Sequence, residues 1–210
     1  PRFDDIMLTI FKWEGGFVDD PQDPGGATNM GITHKALAQF RGVASVTPQE
    51  VKDLTKDEAI AIFRANYWRL VHGDDLPPPL DFVVMDGAVN QGPAGVARLL
   101  QALVGASQDG DIGEKTLKAV GVYIERDGVD KLAVELAEAR KTRYESHPKI
   151  VRYRNGWRNR LNDVMKTAMA GRALSWTWDG GPGGPSRASP SDGGDAGPPP
   201  VTLLRAVIED

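Results

Sequence analysis

The sequence predicts an all-α fold, because helix signals recur along most of the chain and strand signals are sparse. Apolar residues return every three or four positions through much of residues 3–169, which is the period of one buried helix face. Thr47 and Thr55 each precede a glutamate by three residues, the pattern of a capping box at a helix start. Since 40% of the 210 residues are hydrophobic, the chain can also bury a sizeable core.

The first predicted helix ends in a glutamate that lies on its apolar face. That face is formed by Phe3, Ile6, Met7, Ile10 and Phe11. Glu14 follows Ile10 by four residues, so its carboxylate should point to the packed side, and two glycines then end the helix. Burial disfavours the charged form of a carboxyl, so Glu14 is a candidate general acid.

An irregular loop follows Glu14 and carries further candidates for chemistry. Asp19, Asp20 and Asp23 lie within nine residues of Glu14, and the hydroxyl of Thr28 could orient a water molecule. Hydrolysis of a glycosidic bond needs a proton donor and a second group that activates water or stabilises the transition state. The same aspartates are also ordinary turn-forming residues next to proline, and the residues alone leave both interpretations open.

Later helix signals divide the chain into regions. Thr33 is a predicted N-cap, and residues 73–80, with three consecutive prolines, are predicted to be a non-helical connector. Further helices are predicted over residues 81–90, 94–104, 114–122, 129–145 and 149–169. We expect a catalytic core over 1–75, a helical region packed on it over 76–170, and a flexible Gly/Pro-rich tail over 171–210 with a short apolar C-terminal segment.

Composition excludes several classes of protein and site. The chain has no cysteine, and its three histidines lack the spacing of metal ligands, so we expect no disulfide, no metal and no organic cofactor. A formal net charge of −4 argues against a nucleic-acid partner. Residues 140–166 nevertheless contain nine Lys or Arg residues, which form either a solvated face with internal salt bridges or a surface that attracts an anionic polymer.

Targeting signals are missing from the sequence as given. The N-terminus lacks the basic and apolar regions of a signal peptide, and no apolar run is long enough for a stable membrane span. We therefore expect synthesis in the cytoplasm without a signal peptide.

Residues 14–33 carry a specific resemblance to a known family. They read E-G-G-F-V-D-D-P-Q-D-P-G-G-A-T-N-M-G-I-T. This run resembles the signature of the glycoside hydrolase family 108 lysozymes, which are N-acetylmuramidases with a lysozyme-like helical fold. The resemblance implies that Glu14 is the catalytic acid. The order Glu14, Asp23, Thr28 also resembles the Glu-Asp-Thr arrangement of phage-type lysozymes, with one residue fewer before the threonine, which implies that Asp23 and Thr28 position or activate water.

The second half of the chain resembles the predicted peptidoglycan-binding region that commonly follows the family 108 core. The similarity lies in D-G-A-V-N-Q-G at 86–92, D-G-D-I-G-E-K-T-L at 109–117 and G-W-R-N-R-L at 156–161. Side chains that could contact a sugar are Asn29, Tyr67, Trp68, Asn90 and Gln91. Aromatic rings stack on sugars, but at helical spacing they are also ordinary core residues, and the amides could equally serve as helix-end hydrogen-bonding groups.

Together these features imply a peptidoglycan hydrolase that cleaves the β-1,4 bond between N-acetylmuramic acid and N-acetylglucosamine. The implied setting is cell lysis by an endolysin, a monomer whose partner is the glycan strand and which reaches the wall, in the periplasm or outside, through a holin-type pore or another helper. Two alternatives stay open. A lytic transglycosylase would leave 1,6-anhydro ends, and a catalytically silent protein with this fold would only bind the wall or assist secretion.

Overall fold

The computed structural model describes residues 2–19 and 26–179, and this part of the chain is mostly helical, which confirms the all-α prediction. The α-helices, α1 to α9, span Arg2–Trp13, His34–Arg41, Pro48–Lys52, Lys56–Phe63, Leu80–Gln91, Pro93–Val104, Glu114–Asp127, Val129–Glu145 and Ile150–Ala168. A π-helix, Arg64–Trp68, continues α4, and a 3-10 helix, Gly73–Asp75, precedes α5. Two short antiparallel strands, β1 (Thr28–Asn29) and β2 (Ile32–Thr33), form a hairpin.

Helices begin at the predicted capping residues. Thr47 and Glu50 form a complete capping box, with each side chain bonded to the backbone N–H of the other residue. The hydroxyl of Thr55 accepts a hydrogen bond from the backbone of Glu58, and Thr33 caps α2 in the same way. The predicted non-helical connector over 73–80 is wrong at both ends, because it begins with the 3-10 helix and its last residue, Leu80, is the first residue of α5.

Helix α5 lies at the centre of the fold and brings the two halves of the chain together. All twelve of its residues are buried, including the polar residues Asp81, Asp86, Asn90 and Gln91, and it contacts α6, α8 and α9. Buried side chains from both sides of residue 75 belong to one hydrophobic cluster. The regions 1–75 and 76–170 therefore share a core, and a boundary between them stays a prediction from the sequence.

The chain still contacts the body of the protein beyond residue 171, where the flexible tail was predicted to begin. The side chain of Trp178 is 1% exposed and stacks on Tyr144, with ring centroids 5.9 Å apart. The backbone N–H of Trp178 also donates to the side-chain oxygen of Asn162 at 2.6 Å. Trp178 thus anchors residues 171–179 to the body of the protein, while the rest of the predicted tail, 180–210, lies outside the described residues.

None of the described helices combines the length and apolar character that a membrane crossing requires. Within residues 2–19 and 26–179, no three His, Cys, Asp or Glu side chains come together in a way that could hold a metal ion.

Candidate active site

Glu14 lies just past the end of α1 and points into the protein, as its spacing from Ile10 predicts. Its backbone N–H still donates to the carbonyl of Ile10 at 3.1 Å, which continues the helical register by one residue. The residue is only 7% exposed. The carboxyl group is therefore held in a mostly dry environment at the edge of the core.

The β1–β2 hairpin packs against this carboxyl group through its turn. Met30 and Gly31 have φ values of +49° and +77°, the conformation of a tight two-residue type I′ turn. The backbone N–H of Met30 donates to the carbonyl of Gly15 at 3.0 Å, which ties the turn to the end of α1. A Cβ atom on Gly31 would lie 2.5 Å from Oε2 of Glu14. Only glycine allows the turn to approach the carboxyl so closely.

We expect Gly31→Ala to impair the site strongly, because the methyl group would overlap Oε2 of Glu14 and the positive φ is unfavourable for alanine. A displaced carboxyl group loses its aligned geometry, so the rate of a reaction that uses its proton should fall by about 10²-fold or more. Gly42→Ala is a matched control, since Gly42 also has a positive φ but has open space around its Cβ position. Comparable activity in the two variants would contradict the steric argument.

Glu14 belongs to a buried cluster of alternating charges that links four helical segments. The Nη1 atom of Arg160, on α9, lies 2.8 Å from Oε1 of Glu14. The Nε atom of Arg160 lies 2.8 Å from Oδ1 of Asp86 on α5, and the Nη2 atom of Arg140 on α8 lies 2.6 Å from Oδ2 of Asp86. Two carboxyl and two guanidinium groups thus alternate across the interior, and each carboxylate is paired as burial of charge requires.

Arg140, at the far end of this cluster from Glu14, is surrounded by hydrogen-bonding groups of α5 and α8. Arg140 donates through Nη1 to the carbonyl of Val83 at 3.0 Å and through Nε to Oε1 of Gln91 at 3.2 Å. The hydroxyl of Tyr144 donates to Oδ1 of Asn90 at 2.6 Å. Asn90 and Gln91, which the sequence suggested as sugar ligands, are both buried and use their side chains inside this network.

The two carboxyl groups of the cluster differ in acidity for a physical reason. Burial raises the pKa of Glu14, and the positive charge of Arg160 opposes this effect without cancelling it. Burial also acts to raise the pKa of Asp86, but two guanidinium groups, those of Arg160 and Arg140, hold that pKa below its ordinary value. Glu14 is therefore the group that can carry a proton, while Asp86 stays ionised.

The two aromatic candidates have different surroundings. Tyr67 is partly buried and packs on Phe63, with ring centroids 5.3 Å apart. Burial and the nearby charge of Glu14 raise the pKa of Tyr67 to about 12, so its hydroxyl stays protonated and can donate a hydrogen bond near Glu14. Trp68 is only 2% exposed and packs on Phe3 in the core. Its ring offers no free face to a sugar, which corrects the expectation that it binds substrate.

The remaining predicted residues lie in the hairpin or outside the described residues. Thr28 is buried in β1, and its hydroxyl lies 3.4 Å from the carbonyl of Gly26. The amide nitrogen of Asn29 donates to the carbonyls of Val51 and Lys52, each at 3.1 Å, and so holds the hairpin to α3. Asp23 lies outside the described residues. The structure thus brings Glu14, Tyr67 and the hairpin together and leaves the place of Asp23 to prediction.

Sequence reasoning missed the two arginines of the cluster. It counted Arg140 and Arg160 among nine basic residues of a charged face, but both are buried, which corrects that prediction for these two positions. The signal was present in the sequence. Arg160 follows Trp157 by three residues and precedes Val164 by four, so it stands in an apolar stripe of α9. A positive charge in such a stripe indicates a buried ionic partner.

The chain is similar to a known family and to a solved structure. Residues 7–92, which include Glu14, the hairpin and Asp86, match the model of the family described as glycosyl hydrolase 108. The chain is 43% identical to SagA of Brucella abortus in a solved structure, with a TM-score of 0.70. That match covers 80% of this chain and 94% of the SagA chain. No curated protein sequence gives a match.

Proposed function

Because the chain belongs to the glycosyl hydrolase 108 family and is a glycoside hydrolase that acts on peptidoglycan, we propose that it cleaves the β-1,4 bond between N-acetylmuramic acid and N-acetylglucosamine. The observation that carries the proposal is the buried Glu14 carboxyl, whose raised pKa suits a proton donor. Acid-catalysed glycoside hydrolysis requires such a carboxyl group, protonated and able to give its proton to the leaving oxygen.

In the proposed reaction, Glu14 gives its proton to the glycosidic oxygen as the bond from C1 of N-acetylmuramic acid to that oxygen breaks. The oxygen leaves as the 4-hydroxyl group of N-acetylglucosamine. Tyr67 lies near Glu14 and keeps its own proton, so we propose that its hydroxyl binds the sugar beside the broken bond.

The second half of the reaction needs a water molecule at C1. We propose that Asp23, helped by the hydroxyl of Thr28, positions this water or accepts its proton while the hydroxide adds to C1. The proton balance closes when Asp23 releases the proton of the water to solvent and Glu14 takes up a proton from solvent. Thr28 supports this role by its place in β1, the strand that leads directly into the turn beside Glu14.

The first test is mass spectrometry of the fragments that the protein releases from purified peptidoglycan. We expect reducing N-acetylmuramic acid ends, because water completes the reaction, and we expect Asp23→Asn to slow their release. Reducing N-acetylglucosamine ends would show that the other glycosidic bond is cut. Anhydro ends would make the protein a lytic transglycosylase, and either result would overturn the proposed bond or mechanism.

We also propose that the protein acts as a monomeric endolysin, which needs a holin or another helper to reach the wall. The proposal is supported by the family and by its peptidoglycan substrate. Cells that produce the protein should lyse when their inner membrane is permeabilised and resist lysis otherwise. Equal lysis in both conditions would contradict a dependence on a helper.

A further inference from the structure

Two charged residues of the buried cluster take no part in the proposed bond cleavage, yet they hold the Glu14 carboxyl group in position. We propose that Asp86 and Arg160 are positioning residues, which bind Oε1 of Glu14 through the Arg160 guanidinium and leave Oε2 as the oxygen that transfers the proton. This inference rests on the proposed function, because it concerns how the general acid of that reaction is held.

The geometry fixes the direction of the Arg160 guanidinium. This planar group uses Nη1 for Glu14 and Nε for Asp86, both at 2.8 Å, so moving it away from either carboxylate would disturb its bond to the other. Asp86 is itself fixed by Arg140, at 2.6 Å, and the side chains of that pair are 0% exposed. Arg140 on α8 therefore fixes Asp86 on α5, and Asp86 fixes Arg160 on α9. Arg160 in turn holds the Glu14 carboxyl at the end of α1.

The same contacts distinguish the two oxygens of Glu14. Oε1 faces Arg160, whose guanidinium only donates hydrogen bonds, so a proton on Oε1 would point at another donor. Oε2 lies instead against the turn at Gly31, beside the strand that carries Thr28. The proton consequently belongs on Oε2, and the glycosidic oxygen must approach from that side.

Charge counting predicts how the cluster responds to substitution. The titratable groups that face Glu14 or its partners are Arg160 on α9, Asp86 on α5, Tyr67 on the π-helix, and Arg140 and Tyr144 on α8. With Glu14 ionised, two carboxylates balance two guanidinium groups, whereas protonation of Glu14 leaves one positive charge in excess. Loss of Arg160 should therefore favour the protonated acid, and loss of the Asp86 charge should disfavour it.

The experiment measures kcat/KM on purified peptidoglycan against pH for three variants. In Arg160→Met, the pH at which kcat/KM falls on the alkaline side should rise by about one pH unit or more, because the positive charge that stabilises ionised Glu14 is gone. In Asp86→Asn this pH should fall, because a negative charge that favours protonated Glu14 is gone. Arg160→Lys keeps the positive charge, so the alkaline fall of kcat/KM should stay near its original pH. Arg41→Met, which removes an exposed ion pair with Glu58, should leave the profile unchanged.

A purely structural role for the cluster predicts a different result. Lower activity in all three variants with an unshifted pH profile would overturn the proposal, as would equal profiles for Arg160→Met and Arg160→Lys. If these variants do not fold, the carbon-13 carboxyl resonance of Glu14 in the unmodified protein decides, assigned by its loss in Glu14→Gln. The nitrogen-15 resonance of Arg160 Nη1 should shift with the same midpoint as this carboxyl, because the two groups are hydrogen-bonded at 2.8 Å, and a resonance that does not respond to Glu14 overturns the proposal. The titration needs no substrate, so its outcome is independent of whether the proposed bond is the one cleaved.

Discussion

A Glu14→Gln variant is expected to hydrolyse peptidoglycan about 10²- to 10⁴-fold more slowly than the unmodified protein, which is the contribution usual for a general acid. Glutamine has nearly the same shape as glutamate, and its carbonyl oxygen can still accept the hydrogen bond from Arg160. The fold should therefore survive while the transferable proton is lost. The measurement is the rate at which reducing ends are released, together with a thermal unfolding curve that confirms the fold.

The matched control for this variant is Glu58→Gln. Glu58 also pairs with an arginine, Arg41, but this pair is more exposed and lies outside the buried cluster. We expect unchanged activity, because no proton of Glu58 takes part in the proposed reaction. A folded Glu14→Gln protein that keeps full activity would show that another group is the acid.

The second large effect concerns stability. Arg140→Met should lower the free energy of unfolding by about 3 to 5 kcal/mol, because it removes one partner of a fully buried ion pair. The same change leaves the Val83 carbonyl and the Gln91 side chain without the hydrogen bonds that Arg140 donates. Urea unfolding at equilibrium, extrapolated to zero denaturant, measures the difference.

The next residue of α8 supplies the control for this measurement. Lys141 pairs with Glu138 near the surface at 2.7 Å, so Lys141→Met should cost less than about 1 kcal/mol. Similar costs for the two variants would mean that the buried cluster contributes little to stability beyond a surface ion pair. A much larger cost for Arg140→Met would locate that stability in the contact between α5 and α8.

Features that depend on neighbouring residues were predicted well. The apolar stripe of α1 placed Glu14 on the buried side, and the caps at Thr33 and Thr47 lie at the starts of α2 and α3. Helix ends were less accurate: α7 was predicted to end at residue 122 but continues to Asp127, where Gly128 ends it with a positive φ. Local spacing determines such features, since helix faces and caps arise within a few residues.

The sequence by itself thus determined the helical class, the buried face of α1, the place of Glu14 on it and the family signature around it. Only the tertiary structure decided that Arg160, 146 residues away, binds Glu14, that Asp86 and Arg140 complete the cluster, and that Trp68 lies in the core. The physical reason is that periodicity indicates which side of a helix is buried without indicating what it meets there. The partner of a buried charge depends on how distant helices pack, and that packing is a property of the whole fold.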